Sequence, residues 1–468
     1  MSFTEIIFAP FAILTFILFF FLRNRPSAQI VLLVFASYVF YGWWKIAFVW
    51  LILFSSVLDF VIGHLIAGTN TPLRRRIYLG ISLVGNLGLL GYFKYANFFV
   101  HSVEGGLRAL GMDLGWPALN IVLPVGISFY TFQSLSYSLD IYFGRIKPEK
   151  SFVRFLFFVA AFPQLVAGPI VRARDFLPQL RGNLFSRSDH SGLFYIFYGV
   201  FKKIMVADLL GYYIVDGVFH TPHMYSSAEL LLGVYAYAFQ IFFDFSAYSD
   251  IAIGLGKVFG LTLPVNFRSP YLAQSPTDFW RRWHITLSTW LRDYLYIPLG
   301  GNRVGPVRHL LNLMLVMLLG GLWHGAHWTF VVWGGLHGLY LVAHKVLTRR
   351  LPAGRLPGWI QRGLFFHLVC LTWIFFRSEN FAVAGQYLRS LGRMNVSLNN
   401  IPAVPVLILL VVAWVFHDIV EPRLESVSRK FAALPWWLQG SLLYLLLAVF
   451  SLLGQKGIAH QAFIYFQF

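Results

Sequence analysis

Two histidines in this sequence stand in company that suits acid–base chemistry. His284 closes the run FWRRWH, and His324 follows forty residues later in GGLWHGAHWTF. An imidazole with an ordinary pKa near neutrality can take up and return a proton at physiological pH. Around His284, residues 266–303 gather Arg268, Asp278, Arg281, Arg282, Arg292, Asp293 and Arg303 between Trp280, Trp283 and Trp290. Arginine grips phosphate through two parallel hydrogen bonds. Arg281, Arg282 and Arg292, with Trp283, are therefore candidates for holding an anionic donor such as a phosphorylated cofactor. A basic, tryptophan-rich stretch also reads as an interfacial anchor, and both readings stand here.

Other chemistries are weaker. His324, His327, His337 and His344 are spaced by 3, 10 and 7 residues, so the first two could share a helix face. The zinc-protease pattern HExxH needs glutamate after its first histidine, and Gly325 stands there instead. No metal is expected. A serine hydrolase would need a Gly-x-Ser-x-Gly turn between strand and helix, which an all-helical chain does not supply. Cys370 is the only cysteine, so a disulfide or a thiolate cluster within one chain is excluded, and it reads as a buried structural thiol.

These residues must be positioned in a membrane. Of 468 residues, 58% are hydrophobic and only 12% charged, against roughly 25% charged in a soluble protein. Apolar runs able to cross about 30 Å of hydrocarbon recur near residues 8–22, 30–44, 46–66, 77–93, 121–143, 193–210, 230–245, 310–321, 329–343, 365–376, 404–416 and 437–453. Several are short, and the run after Phe155 meets FPQLVAGP, which predicts broken or re-entrant helices. The fold class is all-α, a polytopic membrane protein with about 11–13 transmembrane or re-entrant helices. No linker or internal repeat is visible, so residues 1–468 read as a single polytopic domain. The first run lacks a basic leader and a small-residue cleavage site, and reads as a retained span. Between the apolar runs, residues 95–120 read as a loop. Residues 172–187, basic with interleaved Phe and Leu, read as an interfacial helix.

The net charge of +18 would suggest nucleic acid in a soluble protein. Here it is spread over alternate loops: Arg23 and Arg25, then Arg74, Arg75 and Arg76, then Arg145, Lys147, Lys150 and Arg154, and later Lys345, Arg349, Arg350, Arg355 and Arg362. The positive-inside rule puts these loops in the cytoplasm and the N-terminus outside. With residues 310–321 rising and 329–343 descending, His324 lies at an apex reached from the outer side. Gly320, Gly321 and Gly325 would let helices close there.

The run FWRRWHITLSTWLRDYLYIPLGGNR, followed by GGLWHGAHWTFVVWGGLHG, resembles the membrane-bound O-acyltransferase (MBOAT) family, in particular its bacterial alginate O-acetyltransferase branch. LPVGISFYTFQSLSYSLDIY, FPQLVAGPIVR, FQIFFDFSAYSDIAIG, FYGWWK and GYFKYANFF match as well, and residues 123–341 form the motif core. No familiar motif follows about His344. The resemblance implies a ring of helices around a thin core, in the inner membrane of a bacterium. It implies that His324 is the family's invariant histidine and that His284 holds the place forty residues earlier, where relatives carry asparagine, aspartate or histidine. It further implies acetyl transfer from a cytoplasmic thioester, acetyl-coenzyme A, to an extracytoplasmic hydroxyl, with no permanently bound cofactor. An extracytoplasmic acetyltransferase or esterase-like partner would pass the group to alginate or another polysaccharide. A carrier-bound donor is the analogous route in relatives acting on teichoic acid.

Asp140, Asp244 and Asp250 fall in family-like motifs and read as arginine partners or helix-end contacts. Asp59 and His417–Asp418 read as local polar contacts. The alternative from another class is a transporter or flippase of a polar or lipid-linked substrate, since broken spans and midplane polar groups also serve transport. No duplicated half or acidic relay accompanies them.

Overall fold

The computed structural model describes residues 1–113, 115, 119–350, 356–455 and 463–464. Among these every regular element is helical and none is a strand. A lipid environment demands this, because a helix satisfies its own backbone N–H and C=O groups. Seven helices among the described residues are long and apolar enough to cross a bilayer: Ile46–Ala67, Pro72–Ala109, Ser227–Val258, Pro306–His324, Trp328–Thr348, Gly358–Arg377 and Ala403–Ala432. Shorter apolar helices occupy Phe8–Phe21 and Pro26–Gly42. The protein is an all-α polytopic membrane protein.

Two further apolar runs differ in how they end. Phe152–Ala160 stops before FPQLVAGP, whereas Ser191–Phe201 continues through π-type turns over Lys202–Asp208 and Gly211–Val215 to His220. Contacts group the chain into two compact units, Met1–Asp189 with Leu255–Pro264, and His190–Gly254 with Val265–Phe468. Of the basic loop after Lys345, Arg355 lies outside the described residues, as do the side chains of Arg349 and Arg350.

The first unit turns many apolar side chains outward while others, such as Phe19, Leu33 and Phe40, pack inside. Phe35 and Val84 are 68% and 75% exposed, a distribution suited to lipid and costly in water. Several of its polar groups lie inside and hydrogen-bond one another. The helix Ile127–Tyr142 is buried from Ile127 to Ile141 although it carries four serines, Thr131, Gln133 and Asp140. Asp59 accepts hydrogen bonds from Ser82 (2.5 Å), Asn86 (2.9 Å), Ser138 (2.9 Å) and Ser134. Asp140 pairs with Arg145 at 3.0 Å.

Two expectations are corrected in this unit. Much of residues 95–120 is helix, since Pro72–Leu90 runs through a π-type turn into Ala96–Ala109. Glu104 and Arg108, one helical turn apart, pair at 2.8 Å and so support the helix. Residues 172–187 are not one interfacial helix but the short turns Ala173–Phe176, Leu177–Leu180 and Phe185–Arg187. Pro178 lacks an N–H and cannot continue a helix. Phe176, Leu177, Leu180 and Leu184 are buried, not laid on lipid.

The second unit holds both histidines. Ser227–Val258, which belongs to it as far as Gly254, is buried along most of its length. Pro306–His324 and Trp328–Arg350 form a hairpin through Gly325, Ala326 and His327. The helices touch backbone to backbone: a Cβ on Gly321 would sit 2.3 Å from the Phe330 carbonyl, and one on Gly334 2.3 Å from that of Met317. Only glycine permits this approach. The basic, tryptophan-rich stretch folds as short pieces, Pro276–Trp280, Ile285–Leu291 and a π-type turn over Arg292–Tyr296. Trp283 and Trp290 are buried in it, so they pack the interior and are not interfacial anchors.

Candidate active site

His324 is the last residue of Pro306–His324, and 3% of its surface is exposed. Its ring meets Trp323 and Trp333 edge-on at 5.1 Å and 5.0 Å, and Phe376 at 5.5 Å. His284 precedes Ile285–Leu291 in a left-handed conformation, φ 42°, and is fully buried. Its ring lies 4.7 Å from Phe245, 5.7 Å from Trp323 and 5.9 Å from His324. The elements thus bring two histidines forty residues apart into one aromatic chamber. Two hydrogen bonds of about 3 Å each let both rings address a single reacting group. Their aromatic walls hold water away, which strengthens any charge interaction formed there.

His284 lies in the connection between spans, and burial lowers its pKa to about 3. It is therefore neutral at physiological pH, able to donate one hydrogen bond and accept another. Its backbone is fixed by pairing with an earlier segment. Ile285 N–H donates to the Asn266 carbonyl at 2.9 Å, and Arg268 N–H to the Arg282 carbonyl at 2.9 Å. The Asn266 side chain accepts from Thr286 Oγ1 at 3.0 Å and donates to Ser249 at 3.3 Å.

Beside this pairing lies a cavity of about 410 Å³, lined among others by Ser249, Asp250, Asn266, Arg268, Arg282 and Glu421. Of the candidate donor-binding residues, Arg282 reaches this cavity, with Arg268 beside it, while holding Asp278 at 2.9 Å. Arg281 is exposed. Arg292 pairs with Asp293 at 2.7 Å, and Trp283 stacks on Phe279 at 5.7 Å, away from the cavity lining. The remaining histidines of the metal alternative separate: His327 contacts Thr329 at 3.0 Å and His337 contacts Thr372 at 3.0 Å. Among the described residues no three His, Cys, Asp or Glu side chains cluster as metal ligands. Cys370 is buried in Gly358–Arg377.

Comparison with known proteins decides the family. The family model for MBOAT, the membrane-bound O-acyltransferases, matches residues 145–381, which include His284 and His324. The chain belongs to the membrane-bound O-acyltransferase family. Across its whole length this O-acyltransferase is 37% identical to a probable alginate O-acetylase of Pseudomonas putida, 100% of which is covered. It is 36% identical to the peptidoglycan O-acetyltransferase of Helicobacter pylori over 80% of this chain and 75% of that one. It is 27% identical to the teichoic acid D-alanyltransferase of Bacillus subtilis over 63% of this chain and 82% of that one.

Sequence reasoning missed part of the surroundings of this O-acyltransferase site. Asp244 and Asp250 pair with lysines, not arginines. Lys203 lies 2.7 Å from both Asp244 and Asp208, while Lys202 lies 2.5 Å from Asp250 and 3.0 Å from Glu421. The signal was present as two adjacent lysines inside an apolar run, which must find partners in a membrane. Near the C-terminus, Phe463 packs 5.2 Å from Tyr248, and Ile464 N–H donates to Asp244 at 2.8 Å. His417–Asp418 is more than a local contact, because it reaches the segment paired with the residues flanking His284.

Proposed function

We propose that this protein is an O-acetyltransferase of the bacterial inner membrane. It takes acetyl from a cytoplasmic thioester, acetyl-coenzyme A, and delivers it to an extracytoplasmic hydroxyl. The N-terminus lies outside, as the basic alternate loops suggest. The observation that carries this reading is the 5.9 Å separation of His284 and His324 in a buried aromatic chamber of a family member.

The chemistry follows from the residues. His324 acts as general base, taking the hydroxyl proton as the oxygen attacks the thioester carbonyl. The tetrahedral oxyanion is met by the N–H of neutral His284, a contribution of about 2.7–4 kcal/mol for a preorganised donor. The carbonyl reforms, the thiolate departs, and the proton on His324 returns to it. Arg268 and Arg282 at the polar cavity suit a phosphorylated donor. Relatives named for alginate, peptidoglycan and teichoic acid support polysaccharide O-acylation as the outcome. We assign the last transfer to an extracytoplasmic acetyltransferase or esterase-like partner, and alginate or another exopolysaccharide as the final acceptor.

Inside-out membrane vesicles from the native host test the vectorial claim. Acetyl-labelled coenzyme A added outside should leave alkali-labile label on luminal macromolecules, with free coenzyme A remaining outside. Intact labelled donor accumulating in the lumen would instead establish transport.

A further inference from the structure

The family match ends at residue 381, yet a polar group beyond it is wired to the catalytic segment. His417 is fully buried, and its Nδ1 lies 2.7 Å from Asp418 Oδ1. A carboxylate only accepts, so Nδ1 carries the hydrogen and Nε2 is left as an acceptor. The Tyr271 N–H donates to that Nε2 at 3.2 Å. Arg362 completes the arrangement, its Nε donating to the Tyr271 carbonyl at 3.1 Å and its outer nitrogen to Asp418 Oδ2 at 2.5 Å. Ser269 Oγ donates to the His417 carbonyl at 2.9 Å. Both polar backbone groups of Tyr271, and the side chain two residues earlier, are thus held by helices Gly358–Arg377 and Ala403–Ala432.

The held segment is the one that pairs with the residues flanking His284. Asn266 and Arg268 bond to Ile285 and Arg282 on either side of His284, and the Tyr271 ring lies 6.3 Å from that of Trp283. Ser269 and His284 are both left-handed, at φ 43° and 42°. Residues with a Cβ resist that conformation and keep it only where their surroundings over-determine it. Two such residues on paired segments, one anchored directly to His417, place the anchorage and the strain together.

We propose that His417, Asp418 and Arg362 form a clamp that positions His284 for the reaction. None of the three residues lines the polar cavity assigned to the donor. It acts through residues 266–271 on residues 282–286 and fixes where the His284 imidazole stands relative to His324. The proposal rests on the role given above to His284. It makes the helix Ala403–Ala432 part of the catalytic apparatus, although that helix lies outside the family match.

The full-length protein in inside-out host vesicles, with labelled acetyl-coenzyme A titrated from outside, tests the clamp. His417→Phe keeps a ring but loses the acceptor, whereas His417→Gln keeps an acceptor. We expect His417→Phe to lower kcat about 10- to 100-fold with a smaller rise in KM, since Arg268 and Arg282 stand on the held segments, and His417→Gln to recover much of the loss. In a His284→Asn background, where the family's alternative residue should leave measurable activity, His417→Phe should cost less than about threefold more, since both changes act through one group. Hydrogen exchange of purified protein should quicken in peptides covering 266–286 while those covering 127–142 are unchanged. Unchanged exchange and kcat in His417→Phe would overturn the clamp. So would a full multiplicative loss in the His284→Asn background, or exchange quickened throughout the helices. Absence of transfer by the unaltered protein would overturn the donor assignment instead, and the exchange measurement would still decide the clamp.

Discussion

His324 ends one helix, His284 starts another, and their rings lie 5.9 Å apart in a chamber walled by Phe245, Trp323, Trp333 and Phe376. Each ring arrives by a different device. A glycine-lined hairpin sets His324, and a left-handed turn held by backbone pairing sets His284.

Removing the His284 ring should slow transfer while leaving the protein folded. His284→Ala is expected to lower kcat by about 10²–10³-fold, the usual effect of losing one oxyanion donor. Burial holds the His284 pKa near 3, so it gains a proton only as the pH falls towards that value. Across about pH 5–8 it therefore contributes no titration of its own, and any acid limb there belongs to another group. The pH–rate profiles of the unaltered protein and His284→Asn should share that limb in shape and midpoint. A limb that vanishes in His284→Asn would contradict the assignment.

The hairpin that presents His324 tolerates no side chain at its crossing. Gly321→Ala would place a Cβ 2.3 Å from the Phe330 carbonyl. Such overpacking typically costs about 1–3 kcal/mol and forces the backbone to shift. Thermal unfolding in detergent should begin at a lower temperature, and transfer should fall because His324 lies three residues away. Gly363→Ala, where no atom comes within 4 Å of the added Cβ, should leave both unchanged.

The lysine pairs should matter for stability. Lys202 is fully buried between Asp250 and Glu421. Lys202→Met leaves two buried acids without their cation, and breaking a buried pair costs about 3–5 kcal/mol. The variant should express poorly or melt early. Lys202→Met with Asp250→Asn and Glu421→Gln should recover much of the loss, a comparison that melting curves can make directly.

Arginines at the polar cavity should affect donor affinity. Arg268→Ala and Arg282→Ala are each expected to raise the KM for acetyl-coenzyme A about 10-fold with a smaller effect on kcat, as for the loss of one charge-assisted phosphate contact. Exposed Arg281→Ala should move KM little. Equal KM values in all three variants would remove the cavity from the donor path.

The sequence carried the all-α membrane architecture because hydrophobic composition and recurrent apolar runs leave a chain few other solutions. It also carried His324 at an apex, since short runs on either side and glycines around it imply a tight hairpin. It did not carry most partners of the buried lysines: Asp208 is five residues from Lys203, but Asp244, Asp250 and Glu421 lie 41 to 219 residues away. Nor did it reveal that Trp283 and Trp290 face inward. An amphipathic stretch on a membrane surface and one folded into the interior have the same composition, and only packing separates them. His417–Asp418 looked local for the same reason: adjacent residues betray nothing of Tyr271, 146 residues earlier.

The central claim is that His324 is the general base for acetyl transfer. The most direct measurement compares purified unaltered protein with His324→Ala in proteoliposomes holding acetyl-labelled coenzyme A inside, with hydroxyl acceptor and host extracytoplasmic extract outside. Equal melting temperatures and equal insertion of the two proteins complete the comparison. Ester label should appear on the outer acceptor with the unaltered protein, and transfer should fall to background with an equally folded His324→Ala. Undiminished acetylation by folded His324→Ala would contradict it.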